Sequence, residues 1–113
     1  MSVSLSISYK EASKKEQLVP IATEKLFESY WQPIAIRLDS HWIPLFQTGL
    51  PVSNEDLPEI MGELRAMESW LCSKIAANTS DEVYTHILKR LTTLIEKLDF
   101  ANNNPDIQEL YIG

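Results

Sequence analysis

Four carboxylates, Glu55, Asp56, Glu59 and Glu63, recur at helical spacing in the stretch NEDLPEIMGELRAMESWL. At about 100° per residue they project onto an arc roughly a quarter-turn wide, and Trp70 falls on the same arc. Carboxylates in such a row could serve as a general acid and base, as in glycoside hydrolysis. That use needs one carboxyl with a raised pKa, which a solvated stripe does not supply. They could instead attract a basic partner, with Trp70 as a desolvated anchor. The same residues also read as the solvated side of an amphipathic helix, opposite its apolar face. Trp70 either stands exposed or packs under the N-terminal strand or the Trp42–Phe46 segment. If the stripe is a free binding surface, Lys at positions 59 and 63 should weaken binding without unfolding the domain.

No catalytic, metal or cofactor motif accompanies the stripe. The two histidines, His41 and His86, have no metal-ligand spacing. His86 with Glu82 reads as a solvated i,i+4 pair, and His41 as a packed or capping residue. The single cysteine, Cys72, excludes an intrachain disulfide and a multi-cysteine zinc site. It is expected to pack as a small hydrophobe at the edge of a helix face. A thiol dyad of Cys72 with either histidine has no supporting signature. The only glycines, Gly49, Gly62 and Gly113, are too dispersed for a phosphate-cradling loop. No nucleophile elbow is present.

The charge balance narrows the partners. The net charge is −6, which argues against nucleic acid, whose binding needs basic patches, and against anionic membrane surfaces. The excess is local: residues 51–70 hold five acids and one base, whereas residues 71–99 hold four of each. No stretch reads as a signal peptide or reaches membrane-spanning length, so a cytoplasmic location is expected. A length of 113 residues suits one domain, residues 1–113.

The elements that must position these residues follow from periodicity. Val3, Leu5, Ile7 and Tyr9 alternate with Ser2, Ser4, Ser6 and Ser8, the signature of a half-buried strand. Residues 10–17 read as a connection. Pro20 suits the first turn of a helix, and an apolar face running Thr23, Leu26, Phe27, Tyr30, Trp31, Ile34, Leu38 continues it, with a kink at Pro33. The run Trp42 to Phe46 reads as a short strand or extended segment, followed by a turn at Gly49 and Pro51. Ser53 or Asn54 caps a second helix that buries Leu57, Ile60, Met61, Leu64, Met67, Leu71 and Ile75 and ends near Ala77. Residues 78–80 break the chain and cap a third helix, whose broad apolar face runs from Val83 to Leu98. Ile107 to Ile112 reads as a final strand. The expected fold is α+β: three main helices packed on a small sheet containing the N- and C-terminal strands.

Three segments together, LFESYWQPIAIRL, HWIPLFQTGLPVSNEDLPEIMGELRAMESWL and the terminal ELYIG, resemble small bacterial immunity proteins of polymorphic or contact-dependent toxin systems. The shared pattern is an aromatic helix end, an apolar segment running into a Gly turn, and a helix that opens with acids and continues Glu63-Leu64. The resemblance implies an acidic, cytoplasmic, non-enzymatic domain without cofactors that binds and blocks a cognate toxin, often a basic nuclease. It transfers no individual residue. Glu55, Asp56, Glu59, Glu63 and Trp70 are the partner-binding candidates on the strength of the stripe alone. The alternative is a structural or regulatory adaptor that self-associates or binds another protein through its helices.

Overall fold

The computed structural model describes residues 2–11, 13–77 and 82–113. Strand β1 (Ser2–Tyr9) lies inside a four-stranded antiparallel sheet of order β2-β1-β4-β3, with β2 spanning Gln17–Thr23, β3 Leu50–Val52 and β4 Ile107–Ile112. The terminal strands pair directly, Ser6 with Tyr111 and Ile7 with Leu110. Val3, Leu5 and Ile7 point inward with Val19, Ile21, Leu110 and Ile112, so one face of the sheet is core. The serines of β1 point to the other face.

Both outer strands carry a proline, and the hydrogen-bond phase shows where each one faces. Ser4 and Gly113 exchange backbone bonds of 3.3 and 3.0 Å. Ser4 therefore spends its N–H and C=O on the β4 side, and Pro20, its register partner in β2, turns its nitrogen to the free edge. The same alternation directs Tyr111 toward β1 and turns Pro51, its partner in β3, outward. Each free edge thus lacks a donor where a further strand would bond.

The chain from 24 to 37 is one continuous helical run: α1 (Glu24–Leu26), a π-helical turn (Phe27–Trp31) and α2 (Gln32–Arg37). Pro33 has no N–H to give to the carbonyl four residues back. The widened turn just before it, with Gln32 N–H bonded to the Phe27 carbonyl, absorbs the interruption, so the helix passes through Pro33. The run closes in a Schellman motif: Ser40 N–H reaches Ala35 O at 2.9 Å and Asp39 N–H reaches Ile36 O at 3.1 Å. Asp39 takes the left-handed position, at φ 59°.

Three sequence expectations change. The helix does not begin at Pro20, because residues 17–23 form edge strand β2, where a proline is tolerated on the outward side. The Trp42–Phe46 run is not extended: it enters a 3-10 helix, Ile43–Thr48, with Pro44 in its first turn. Gly49 and Pro51 do not make a bare turn, since Leu50–Val52 forms β3 against the end of β4.

The long helices α3 (Leu57–Ala77) and α4 (Glu82–Asn102) pack against each other, α4 also against β2 and α3 against the 3-10 helix. The start of α3 at Leu57 and Pro58 lies beside Leu98 and Asn102 at the end of α4, so the pair is antiparallel. The expected break and cap at 78–80 lie outside the described residues. Phe27, Trp31, Ile43, Phe46, Ile60, Leu64, Met67, Leu71 and Leu91 are fully enclosed at the centre of the core. Phe27 stacks on Trp31 at 5.7 Å and meets Phe46 at 6.4 Å between ring centroids. The Trp31 indole N–H finds no acceptor there. Cys72 is exposed rather than packed, because Leu71 and Ile75 take the inward positions on that turn of α3 and position 72 lies about 100° from Leu71.

Candidate functional site

The stripe begins before the helix it was expected to occupy. Glu55 and Asp56 sit in the turn that leads into α3. Ser53 closes that turn as a cap: its carbonyl accepts from Leu57 N–H at 3.1 Å, its Oγ accepts from Asp56 N–H at 3.3 Å, and the hydroxyl donates to Asp56 Oδ2 at 2.9 Å. Glu55 is exposed, and no side-chain partner for it is found among the described residues.

Glu63 is turned inward. Its carboxylate accepts from three successive backbone N–H groups at the entry of the 3-10 helix. Oε2 takes His41 N–H at 2.9 Å, and Oε1 takes Trp42 N–H at 2.9 Å and Ile43 N–H at 3.1 Å. Trp42 N–H also lies 3.2 Å from Oε2. The first turn of any helix leaves N–H groups without intrahelical partners and carries partial positive charge. Here a carboxylate from a different helix satisfies them, about twenty residues along the chain. Glu59, one turn earlier on α3, accepts from Trp42 Nε1 at 3.0 Å. On the other side the first helical run holds the same segment: Gln32 Nε2 donates to Pro44 O at 3.0 Å, and Gln47 Nε2 to Glu28 Oε1 at 2.7 Å.

The stripe therefore does not lie opposite the buried face of α3. It borders that face: Glu63 stands four residues before Met67 and three after Ile60, both fully buried, which puts it about 40–60° from each. Sequence reasoning grouped Glu63 with the solvated acids. The available signal was its phase between two core positions. His41 itself is exposed and contributes its backbone rather than its ring.

Trp70 is half-buried at the far end of the stripe. It packs edge-on against Tyr84 of α4 at 5.6 Å, and Tyr84 in turn meets Tyr30 at 6.3 Å. Lys74 Nζ stands 5.4 Å from the Trp70 ring centroid. Trp70 thus rests on the α3–α4 seam, not under β1 or the Trp42–Phe46 segment.

The stripe remains negative despite these bonds. Every donor to Glu59 and Glu63 just described is a neutral N–H, and the donor to Asp56 is a neutral hydroxyl. Among the described residues the ion pairs found involve Lys14 alone, with Glu11 at 3.9 Å and with Asp106. Asp56, Glu59 and Glu63 are therefore held in place, and among the described residues no cation is found paired with any of the four carboxylates.

Elsewhere, a cleft of about 590 Å³ lies where β4 begins, between the turn after β3 and the end of α4. Five of its fourteen lining residues are carboxamides, Asn54, Asn102, Asn103, Asn104 and Gln108, and Lys10 and Glu109 supply its charges. It contains neither histidine nor cysteine. Among the described residues no three of His, Cys, Asp and Glu gather to hold a metal ion, and no helix is long and apolar enough to cross a membrane. No family model, curated protein or solved structure matches this chain.

Proposed function

We propose that this chain is a non-enzymatic binding module of the toxin-immunity kind, acting in the cytoplasm, which engages a basic toxin domain through the acidic rim where the chain enters α3. The observation that carries this reading is the uncancelled charge. Asp56, Glu59 and Glu63 are held by neutral donors and Glu55 stands exposed beside them, within a stretch of net charge −4 from five acids and one base over residues 51–70. Fixed like charges on a rim raise the encounter rate with a cationic partner and fix its orientation. Trp70 borders this rim and offers aromatic contact area.

The residues divide the work. Glu55 and the outward oxygen of Glu59 are placed to meet a partner, whereas Glu63 holds the surface in shape. The test is co-expression with the product of the adjacent upstream gene, scored by cell survival and by recovery of a stoichiometric complex. Rescue is expected. In the purified pair, Glu55→Lys should slow association several-fold while leaving the thermal midpoint unchanged, and added salt should slow the wild-type rate in the same way. Rescue with an association rate indifferent to Glu55→Lys and to salt would move the interface off this rim. The absence of both toxicity and a complex would remove the immunity reading for that gene pair.

A further inference from the structure

A 3-10 helix turns once every three residues, so side chains three apart lie one above the other. The Ile43–Thr48 helix and the Trp42 that opens it therefore sort into rows. Ile43 and Phe46 form the inward row and are fully buried. Pro44 and Gln47 form the row beside the first helical run, which reaches them through Gln32 Nε2 on the Pro44 carbonyl and Glu28 on Gln47 Nε2. Trp42, Leu45 and Thr48 form the last row. Leu45 N–H bonds to the Trp42 carbonyl at 3.0 Å, which fixes that stacking. Trp42 is half-buried, with its indole N–H on Glu59 of α3, and Leu45 is 45 % exposed. The row is an apolar ridge on the α3 side of the 3-10 helix.

The ridge is fixed from several directions. Glu63 takes the N–H groups at its entry, Gln32 takes the Pro44 carbonyl, and the Thr48 hydroxyl donates to the Leu45 carbonyl at 3.0 Å. A side chain presented on so constrained a segment loses little freedom when a partner covers it. The carboxylates bonded to this segment are Glu59 and Glu63 on one side and Glu28 on the other. All three accept from neutral donors, and among the described residues no cation is found paired with them. An apolar centre inside a charged margin is the anatomy of a specific interface, and here the margin is of one sign. Trp70 lacks this setting. Its ring already meets Tyr84, and Lys74 stands over it, which puts a cation where a basic partner would bring its own.

We infer that the Trp42–Leu45 ridge is the apolar anchor of the acidic rim, and that it enters an apolar recess bordered by Lys or Arg on a basic protein partner. The occupant is argued from charge complementarity: an acidic partner would oppose Glu28, Glu59 and Glu63, whereas basic margins would supply the cations they lack. The inference rests on the function proposed above and adds a division of labour to it. The carboxylates govern the rate of encounter, and the ridge governs how long the complex lasts.

The experiment measures association and dissociation rates of the full chain with the product of the adjacent upstream gene. Leu45→Ala should raise the dissociation rate about tenfold or more, as truncation of an interface anchor does. Its association rate and the salt dependence of that rate should stay within about twofold of wild type. Leu45→Arg, which sets a bulky cation against a basic partner, should raise dissociation further. Both variants should keep the circular dichroism and thermal midpoint of wild type, because the side chain stands outside the core. If the wild-type pair forms and the folded Leu45 variants dissociate at its rate, the ridge is not the anchor. That result overturns this inference and leaves the immunity reading standing. A wild-type chain that forms no complex with that product overturns both.

Discussion

Replacing Glu63 by alanine tests whether this carboxylate is a structural clasp. Three N–H groups lose their acceptor. That of His41 is exposed and returns to water at little cost. Those of Trp42 and Ile43 are part-buried and keep most of the penalty. A hydrogen bond to a charged group contributes about 1.5–3 kcal/mol, and an orphaned buried donor costs about 1–3 kcal/mol. The groups share one carboxylate and do not add, so the expected loss is about 2–4 kcal/mol. For a domain near 100 residues that corresponds to a fall in midpoint of roughly 8–16 °C. Urea denaturation followed by tryptophan fluorescence and by circular dichroism would measure it. Glu59→Ala, which frees only the exposed Trp42 Nε1, should cost about 1 kcal/mol or less. The double variant should depart from additivity, because both residues hold Trp42. A Glu63→Ala protein within about 0.5 kcal/mol of wild type, the range of an ordinary surface substitution, would refute the clasp. It would restore Glu63 to the free acids, whose reversal to Lys leaves the fold intact.

Four further outcomes are expected. Asp39→Gly should stabilise the domain by about 0.5–1 kcal/mol and Asp39→Val should destabilise it, since only the latter worsens the left-handed cap position; thermal melts decide this. Gly49→Ala should destabilise by about 1–2 kcal/mol or more, because φ is +98° and a new Cβ meets the Tyr111 hydroxyl. Lys14 has its pKa raised, chiefly by its hydrogen bond to Asp106. A raised folded-state pKa gives stabilisation that is present below the ordinary lysine value and lost as pH rises through the folded one. Asp106→Asn should therefore return the Lys14 titration, read by NMR, toward its ordinary value. Cys72, being exposed, should react with a thiol reagent in the native protein as completely as in urea; a protected thiol would contradict its placement.

What the sequence revealed followed from the range of the interactions. β1 was legible because its alternation is local and one face is buried, and α4 because Ile87, Leu91, Leu94, Ile95 and Leu98 repeat without interruption. β4 was legible for the same reason, and with β1 it led to the sheet of N- and C-terminal strands. β2 was not, because a bulge shifts its register near Ser4 and Pro20 imitates a helix start. Trp42–Phe46 carries no period, being apolar throughout, so propensity alone could not separate an extended segment from a 3-10 turn held by side chains of other helices. The stripe was visible as a set of residues, but its division into a clasp at Glu63 and exposed Glu55 depends on contacts about twenty residues apart, which spacing within one helix cannot express.

The two edge prolines have a consequence for crowded solutions. A sheet whose borders both lack a donor cannot be lengthened strand by strand, so neighbouring molecules find no template for a ribbon. Molecules of this kind should remain as finite particles at concentrations where an open-edged sheet would give fibres, and removing both prolines should be what allows fibres to start.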